Sequence, residues 1–376
     1  MIVLILWSAV AMAQVLPKNP LAGREVLEKQ GCLNCHAVNG TGGTVAPDFG
    51  KQVFIGDEYD LLSKMWNHSE QMLAVMSRTR TERPQFNGTD FRELSNFLYF
   101  VRYLGQPGNS SVGKELFVSK NCVECHSVGM PVSGKIPLDS MKVFKSPVKL
   151  AQEMWNHAVA MERRRISKKV SLPVFSDNEF ADLAEYLRQA SSLKTEERIY
   201  SYPGDPTRGL KLFKEKGCEY CHVQKNIGPR LDETNTNQSV MKIAGIMWDH
   251  SEKMLNAARQ MKKPFPLFTD NQMADVISYL YFSSTPKTTG SAEAGARLFK
   301  DDGCSNCHFA GNKLKAPTVG QLAVYRDKDE FLAALWNHVS QMEEILVARG
   351  KKLPKLLPND IKSLYLFVNE NATGEH

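Results

Sequence analysis

Apolar and polar residues alternate along the chain at helical spacing, and the pattern recurs with a period of about ninety residues. Each repeat opens with a short amphipathic segment, for example GKELFVSKNC, GLKLFKEKGC or GARLFKDDGC. A longer helical segment follows, around KMWNHSEQM in the first repeat, and after a proline-containing break comes a last amphipathic segment such as DFRELSNFLYF. Apolar residues three and four positions apart predict amphipathic helices, and therefore an all-α fold.

Linkers rich in Pro, Gly, Ser and Thr separate the repeats: LGQPGNSS, SYPGDPTRG and SSTPKTTGS. A chain of 376 residues is long enough for two to four domains. The linkers predict four tandem helical domains, at residues 14–108, 109–199, 200–287 and 288–376. Nine residues before the first cysteine of each repeat stands a glycine: Gly23, Gly113, Gly209 and Gly295.

The motif Cys-x-x-Cys-His follows the first helical segment of every repeat and uses all eight cysteines of the chain. Its four copies are Cys32, Cys35 and His36; Cys122, Cys125 and His126; Cys218, Cys221 and His222; Cys304, Cys307 and His308. This motif is the attachment signature of c-type haem, in which two thiols bond the porphyrin. The adjacent histidine then becomes the proximal ligand of the iron. The sequence therefore predicts four covalently bound haem c groups.

Two other interpretations exist for Cys-x-x-Cys pairs. Four pairs could bind two zinc ions in all-cysteine sites, but zinc gives no reason for a histidine directly after every pair. A thioredoxin-like dithiol needs a strand followed by a helix, whereas a helical segment precedes each motif here. Haem attachment is therefore favoured, and metal binding is the main alternative.

A polar loop with a proline follows each motif; these prolines are Pro47, Pro137, Pro229 and Pro317. In this order of helix, haem motif, loop proline and final helix, each repeat resembles a small class I cytochrome c domain. The resemblance covers residues 20 to about 370. It implies that the loop proline offers its carbonyl to the proximal histidine, and that the first and last helices of a domain pack crosswise.

The family usually takes its distal ligand from a Met-Pro-x-Phe turn before the last helix, and that methionine is absent here. The corresponding turns, called the proline turns below, read Arg-Pro-Gln-Phe at 83–86, Leu-Pro-Val-Phe at 172–175, Phe-Pro-Leu-Phe at 265–268 and Leu-Pro-Lys-Leu at 353–356. The helix before each turn carries Trp-Asn/Asp-His-x-x-x-Met instead. At about 100° per residue, this His and Met lie about 40° apart, so one face offers two candidate ligands.

The two candidates imply different haem potentials, because His/Met ligation raises the potential relative to two imidazoles. Methionine is favoured, since it lies nearer to the family's distal centre and keeps its ligand type. The candidates are Met72, Met161, Met254 and Met342. The alternative distal ligands are His68, His157, His250 and His338. The tryptophans of this motif are interpreted as packing residues: Trp66, Trp155, Trp248 and Trp336.

The N-terminal stretch MIVLILWSAVAMAQ is uncharged and apolar, and it ends in an A-x-A-like cleavage site. It predicts a signal peptide at residues 1–13 and export to the periplasm, the cell surface or the extracellular space. Because a basic start is missing, the stretch could instead remain as an anchor and allow peripheral membrane association. The formal charge of +6 is spread along the chain beside 41 acidic residues, which argues against nucleic acid as a partner.

Four haems with both axial positions filled leave no coordination site for a substrate. This favours an electron carrier between redox proteins, not an enzyme. The alternative is a haem enzyme or gas sensor in which one iron keeps an open distal position. The uniformity of the four repeats argues against that alternative, because a specialised site should differ from its neighbours.

Overall fold

The computed structural model describes residues 22–52, 57–138, 147–170, 172–176, 178–191, 204–225, 227–231, 238–283 and 288–371. The signal peptide predicted at residues 1–13 lies outside these ranges. The described residues are mostly helical, which confirms the all-α prediction.

The described residues form fifteen α-helices, three or four in each repeat. The first repeat contains α1 Ala22–Lys29, α2 Glu58–Asn67, α3 Ser69–Thr79 and α4 Gly88–Leu104. The second contains α5 Ser110–Ser119, α6 Pro147–Lys168 and α7 Glu179–Ala190. The third contains α8 Pro206–Glu215, α9 Val240–Asp249, α10 Ser251–Gln260 and α11 Gln272–Ser283. The fourth contains α12 Ala292–Asp301, α13 Val319–Leu322, α14 Lys328–Ala348 and α15 Pro358–Asn371.

Two pairs of two-residue strands accompany the helices. In the first repeat β1 Ala37–Val38 pairs antiparallel with β2 Thr41–Gly42. In the second repeat β3 His126–Ser127 pairs in parallel with β4 Ile136–Pro137. Both pairs lie at or just after the Cys-x-x-Cys-His motif of their repeat.

In the second, third and fourth repeats the first helix starts at a polar capping residue. Asn109 accepts hydrogen bonds from the backbone N–H groups at the start of α5, Asp205 does so for α8, and Ser291 for α12. Such caps satisfy N–H groups that have no partner inside the helix. The helix that precedes the cysteines therefore begins at a defined residue in these three repeats.

The glycines found nine residues before each haem motif let the first helix cross the last helix of the same repeat at close range. A Cβ atom at Gly113 or Gly209 would lie 2.0 Å from the carbonyl oxygen of Asp182 or Asp275, respectively. The same distance separates a Cβ at Gly23 from the carbonyl oxygen of Glu93. Any larger residue would push the two helices apart, which explains why the four repeats place glycine here.

The four repeats are grouped in pairs, because the chain divides into two compact units. One contains residues 103–284, and is called the 2–3 unit after its repeats. The other combines residues 17–102 with 285–376, and is called the 1–4 unit. The core of the 1–4 unit mixes side chains of both repeats, including the fully buried Leu62, Phe91, Leu332, Trp336 and Ile361. The first and last repeats therefore share one hydrophobic core.

Candidate functional site

The cysteines of each motif lie in a tight helical turn that follows the first helix. The turns Cys32–Asn34, Cys122–Glu124 and Cys304–Asn306 are 3₁₀ turns, whereas Tyr220–Gln224 forms a π-helical turn. A residue in the left-handed region precedes each first cysteine: Gly31, Asn121, Gly217 and Gly303. Glycine and asparagine tolerate this conformation better than other residues.

The eight cysteines form no disulfide bonds with one another. Burial raises the pKa of the first thiol in each motif to about 11, at Cys32, Cys122, Cys218 and Cys304. In the 1–4 unit, Cys32 and Cys304 also pack against the hydrophobic core. The first cysteine of each motif therefore lies in a water-poor setting, which suits an apolar porphyrin edge.

The histidine of the haem motif is oriented by a loop proline in three repeats. Nδ1 of His36 donates to the carbonyl oxygen of Pro47 at 2.8 Å, and Nδ1 of His308 donates to that of Pro317 at the same distance. Nδ1 of His222 lies 3.0 Å from the carbonyl oxygen of Pro229. A histidine that donates through one ring nitrogen presents the other, here Nε2, to a metal. In these three repeats the contact implied by the family resemblance is present.

The second repeat departs from this arrangement. Nδ1 of His126 is buried without a hydrogen-bond partner, and Pro137 does not contact it as the resemblance implies. Pro137 belongs instead to strand β4, which pairs with His126 and Ser127 through their backbones. The Ile136 backbone is close enough to raise the His126 pKa against the larger effect of burial, but its geometry is not that of a hydrogen bond.

In the first, second and fourth repeats an alternative distal histidine lies near the histidine of the Cys-x-x-Cys-His motif. In the fourth repeat the rings of His308 and His338 have centroids 6.3 Å apart, with their planes inclined by 57°. Burial and the nearby His308 both lower the pKa of His338. Burial likewise lowers the pKa of His36, with a further lowering contribution from His68. The pKa values of His338 and His36 therefore lie below the ordinary value, and neutral imidazole is the form that binds metals.

A proximal and a distal histidine are also neighbours in the second repeat, where burial and the nearby His157 lower the pKa of His126. The distal candidates are also oriented by their own helices. Nδ1 of His157 lies 2.7 Å from the carbonyl oxygen of Glu153, and Nδ1 of His250 lies 2.8 Å from that of Ile246. These bonds direct Nε2 away from the helix that carries each histidine.

The methionine candidates occupy a different setting. All four are half-buried, and Met72 and Met342 pack against the hydrophobic core of the 1–4 unit. The helix that was expected to carry both candidates is continuous in α6 and α14 only. In the first and third repeats it ends just before His68 and His250, which separate α2 from α3 and α9 from α10. The helical turn from His to Met is nevertheless kept in these two repeats, because the Met72 N–H donates to the His68 carbonyl at 3.1 Å and the Met254 N–H donates to the His250 carbonyl at 3.0 Å. The two candidates therefore stay on neighbouring positions of one helix face.

The tryptophan and asparagine of the distal helix hold the proline turn of the paired repeat, a role that the sequence did not indicate. In the 1–4 unit, Nε1 of Trp336 donates to the carbonyl oxygen of Pro84 at 2.9 Å. Nδ2 of Asn337 donates to the Phe86 carbonyl at 2.7 Å, and Oδ1 accepts from the Phe86 N–H at 2.9 Å. We call this set of contacts the Trp–Asn clamp.

The clamp is reciprocal, since Trp66 and Asn67 hold the turn of the fourth repeat in the same way. Nε1 of Trp66 donates to the Pro354 carbonyl at 2.8 Å. Nδ2 of Asn67 donates to the Leu356 carbonyl at 2.8 Å, and Oδ1 accepts from the Leu356 N–H at 3.0 Å. Each repeat of the 1–4 unit therefore both gives and receives a clamp.

The 2–3 unit carries a corresponding pair of clamps. Trp155 donates to the Pro266 carbonyl at 2.6 Å, and Asn156 makes both bonds to the Phe268 backbone, at 2.7 and 2.9 Å.

The second clamp of the 2–3 unit, from the third repeat to the turn of the second, has Asp249 in place of the asparagine. Trp248 donates to the Pro173 carbonyl at 2.9 Å, and Asp249 accepts from the Phe175 N–H at 2.9 Å. A carboxylate has no N–H to donate, so this fourth clamp has one hydrogen bond fewer.

In two of the four clamps the residue before the proline packs on the tryptophan ring. The guanidinium carbon of Arg83 lies 4.2 Å from the centre of the Trp336 ring, and the Phe265 ring stacks on Trp155 with centroids 4.8 Å apart. A cation or an aromatic ring over an indole face adds to the hydrogen bonds of the clamp. The sequence prediction that the tryptophans are packing residues is therefore incomplete, because their N–H groups also bond.

The residues present fit a haem group. A metal between two imidazole nitrogens, at about 2 Å from each, holds the ring centroids roughly 6 Å apart, which agrees with the His308 and His338 rings. Gly228 packs directly against the His222 ring, since a Cβ there would lie 2.6 Å from the ring carbon Cε1. In the described part of the chain, no cluster of three or more His, Cys, Asp and Glu side chains is arranged to hold a bare metal ion.

No family model, no curated protein and no solved structure matches this chain. Within the described ranges, no helix is both long enough and apolar enough to cross a membrane. The chemistry of the site is therefore inferred from its own residues.

Proposed function

We propose that this protein is a tetrahaem c-type cytochrome that carries electrons between redox proteins. The observation that carries the proposal is the pair of neighbouring imidazoles, His308 and His338, of which His308 directly follows Cys307 in the chain. The same four residues, two cysteines and two histidines, recur in every repeat. Two thiols and two opposed imidazoles are the protein groups that a c-type haem with two histidine ligands requires.

The residues of the Cys-x-x-Cys-His motifs would attach the haem and bind its iron. The eight cysteines would hold the porphyrins through thioether bonds, and His36, His126, His222 and His308 would be the proximal ligands. The loop proline carbonyls keep Nδ1 protonated in three of these histidines and so present Nε2 to the iron. When bound, haem iron accepts and releases one electron, between the ferric and ferrous states.

For the distal position we propose the histidines His68, His157, His250 and His338 in place of the methionines favoured by the sequence. The support is the effect of His68 and His157 on the pKa of the proximal imidazoles, together with the ring geometry of the fourth repeat. Two imidazole ligands lower the potential relative to His/Met ligation. They also leave no coordination site for a substrate, which favours a carrier over a haem enzyme or gas sensor.

The setting that we propose is outside the cytoplasm, in the periplasm or at the cell surface. The support is the apolar N-terminal stretch with its A-x-A-like site, which is typical of an exported protein. The partners would be redox proteins that donate and accept single electrons.

The experiment that tests the function combines haem counting with carbon monoxide binding on purified full-length protein. We expect four haems per chain in a pyridine haemochrome assay. We also expect the reduced spectrum to keep its low-spin bands when carbon monoxide is added. Two or fewer haems, or zinc in place of iron, would contradict the cytochrome proposal. A band shift in the wild-type protein would support the enzyme or sensor instead.

A further inference from the structure

We infer that the Trp–Asn clamp positions the distal histidine in trans: the proline turn of one repeat holds the haem ligand of its paired repeat. This inference rests on the proposed function. It goes beyond that function because it makes ligation in one repeat depend on residues of another.

The first argument is adjacency. Asn337 directly precedes His338, and Trp336 directly precedes Asn337. Three hydrogen bonds from these two residues reach the turn that contains Pro84 and Phe86. Helix α14 is thereby fixed at the residue next to the proposed ligand, by backbone groups that belong to the first repeat.

The second argument is burial. The Trp336 side chain is fully buried, at 0% exposure, and both polar groups of the Asn337 amide are bonded to the Phe86 backbone. The Trp336 bond is buried and the two Asn337 bonds are half-buried. Hydrogen bonds shielded from water are costly to break and restrict a side chain to one geometry. The clamp therefore restrains both the translation of helix α14 and its rotation about its axis.

The third argument is reciprocity. Trp66 and Asn67 directly precede His68, and they bond to the turn that contains Pro354 and Leu356. The two proposed ligands of the 1–4 unit are thus each held by the other repeat. The arrangement recurs in the 2–3 unit, where Asn156 precedes His157 and bonds to Phe268. A residue placed to orient a metal ligand commonly changes metal binding when it is replaced.

A purely structural clamp and a positioning clamp predict different outcomes. If the clamp is only structural, its loss lowers the stability of the 1–4 unit. The haem irons of the first and fourth repeats then stay six-coordinate at temperatures below unfolding. Loss of a positioning contact also frees the distal side of one specific haem. Carbon monoxide distinguishes the two, because it binds reduced haem only where the distal ligand can be displaced.

The test uses the full-length, haem-loaded protein with Asn337→Ala, which removes both bonds to Phe86. We expect about one haem in four to become reactive to carbon monoxide, with the corresponding loss of a low-spin signal in magnetic circular dichroism. The matched control is Asn369→Ala in the same repeat, whose Nδ2 donates to the Tyr365 carbonyl at 3.0 Å. The control should keep all four haems unreactive.

The responding haem is identified by adding Cys304→Ser and Cys307→Ser, which remove attachment in the fourth repeat. In this background Asn337→Ala should yield no reactive haem among the remaining three. If reactivity persists there, the clamp does not act on the fourth repeat and the inference fails.

Two further variants keep the test decisive if Asn337→Ala accumulates poorly. Trp336→Phe removes only the bond to the Pro84 carbonyl, and Asn337→Asp keeps the acceptor for Phe86 but not the donor. Each should give a smaller reactive fraction than the alanine variant. If every folded variant stays unreactive while its unfolding midpoint falls, the clamp is structural only. A wild-type protein that is itself reactive, or lacks haem, would instead count against the proposed function.

Discussion

The side-chain amide of Asn67 and the backbone of Leu356 are joined by two hydrogen bonds, of 2.8 and 3.0 Å, although 289 residues separate them in the chain. The Ser63 hydroxyl donates a third bond to the same Leu356 carbonyl, at 2.6 Å. These groups lie between the first and last repeats, where Ser63 is buried and Asn67 is exposed. Because both backbone groups of Leu356 are bonded, the contact specifies one arrangement of the two repeats.

The clamp formed by Asp249 lacks the side-chain N–H that would donate to the Phe175 carbonyl, so a substitution that supplies it should stabilise the 2–3 unit. Asp249→Asn should supply the missing N–H to the Phe175 carbonyl, as Asn156 does for Phe268. We expect the free energy of unfolding to rise by about 0.5–1.5 kcal/mol, the usual net contribution of one hydrogen bond. Thermal unfolding followed by circular dichroism measures this gain.

The reverse exchange is the matched control for that prediction. Asn156→Asp places a carboxylate where the Phe268 carbonyl now accepts from an amide, so this variant should lose at least as much stability as Asp249→Asn gains. Equal unfolding midpoints for both variants and wild type would show that the donor bond contributes nothing measurable.

The close helix crossing in each repeat predicts a strong effect of adding one methyl group. Gly209→Ala would place its Cβ 2.0 Å from the Asp275 carbonyl oxygen, so α8 and α11 must separate. We expect a loss of about 1–3 kcal/mol in the free energy of unfolding, as for other overpacked sites. Urea unfolding of the haem-loaded protein measures it.

A second helical glycine of the 2–3 unit provides the control. At Gly245 an added Cβ would meet its nearest neighbour, the Phe180 Cβ, at an ordinary 3.6 Å. Gly245→Ala should therefore leave stability unchanged or raise it by up to about 1 kcal/mol, because alanine favours helix. A similar loss in both variants would mean that helix crossing is not what requires Gly209.

The sequence predicted the helices because their signals are local. Apolar spacing, the cysteine pairs and the glycine before Cys32 all lie within a few residues of one another. The pairing of repeats has no such signal. The proline turns are alike in all four copies, so nothing local distinguishes the partner of Trp66 from that of Trp155, and the bonds are made to backbone carbonyls that every residue carries.

The choice between His and Met depended on tertiary contacts that the sequence could not supply. Met72 and His68 are one helical turn apart, and the Met72 N–H donates to the His68 carbonyl at 3.1 Å, so local spacing places both near one helix face. The family resemblance favoured methionine, whereas in the fourth repeat it is the His338 ring that approaches His308. The signal available in the sequence was the invariant Trp-Asn/Asp pair before each histidine, which a packing role alone does not explain.

Acid should weaken the 2–3 unit partly through Glu179. Burial tends to raise the pKa of this carboxyl, but hydrogen bonds from Ser176 and the ion pair with Lys120, at 2.9 Å, together lower it below its ordinary value of 4.5. A carboxyl with a depressed folded-state pKa stabilises the fold at neutral pH. That contribution is lost as the pH falls below about 4.5 and through the folded-state pKa.

Glu179→Gln should therefore lower the free energy of unfolding at pH 7, by less than about 1 kcal/mol because the pair is partly solvated. The difference from wild type should shrink as the pH falls into the acid range. Glu215→Gln, on the exposed side of α8 where the Lys211 ion pair spans 3.7 Å, is the control and should change little at any pH. Urea unfolding at several pH values checks both variants, and a difference that grows in acid would contradict the sign.

The distal ligand of the fourth repeat can be identified by paired substitutions at His338 and Met342. His338→Ala removes the imidazole that faces His308, so we expect one of four haems to become high-spin and to bind carbon monoxide. Met342→Leu keeps the volume of a side chain that packs against the core and should leave all four haems low-spin. Visible spectra of the oxidised and reduced proteins, with and without carbon monoxide, provide the measurement. If Met342→Leu opens the haem and His338→Ala does not, methionine is the ligand, and the potential of that haem should then lie above the value for two imidazoles.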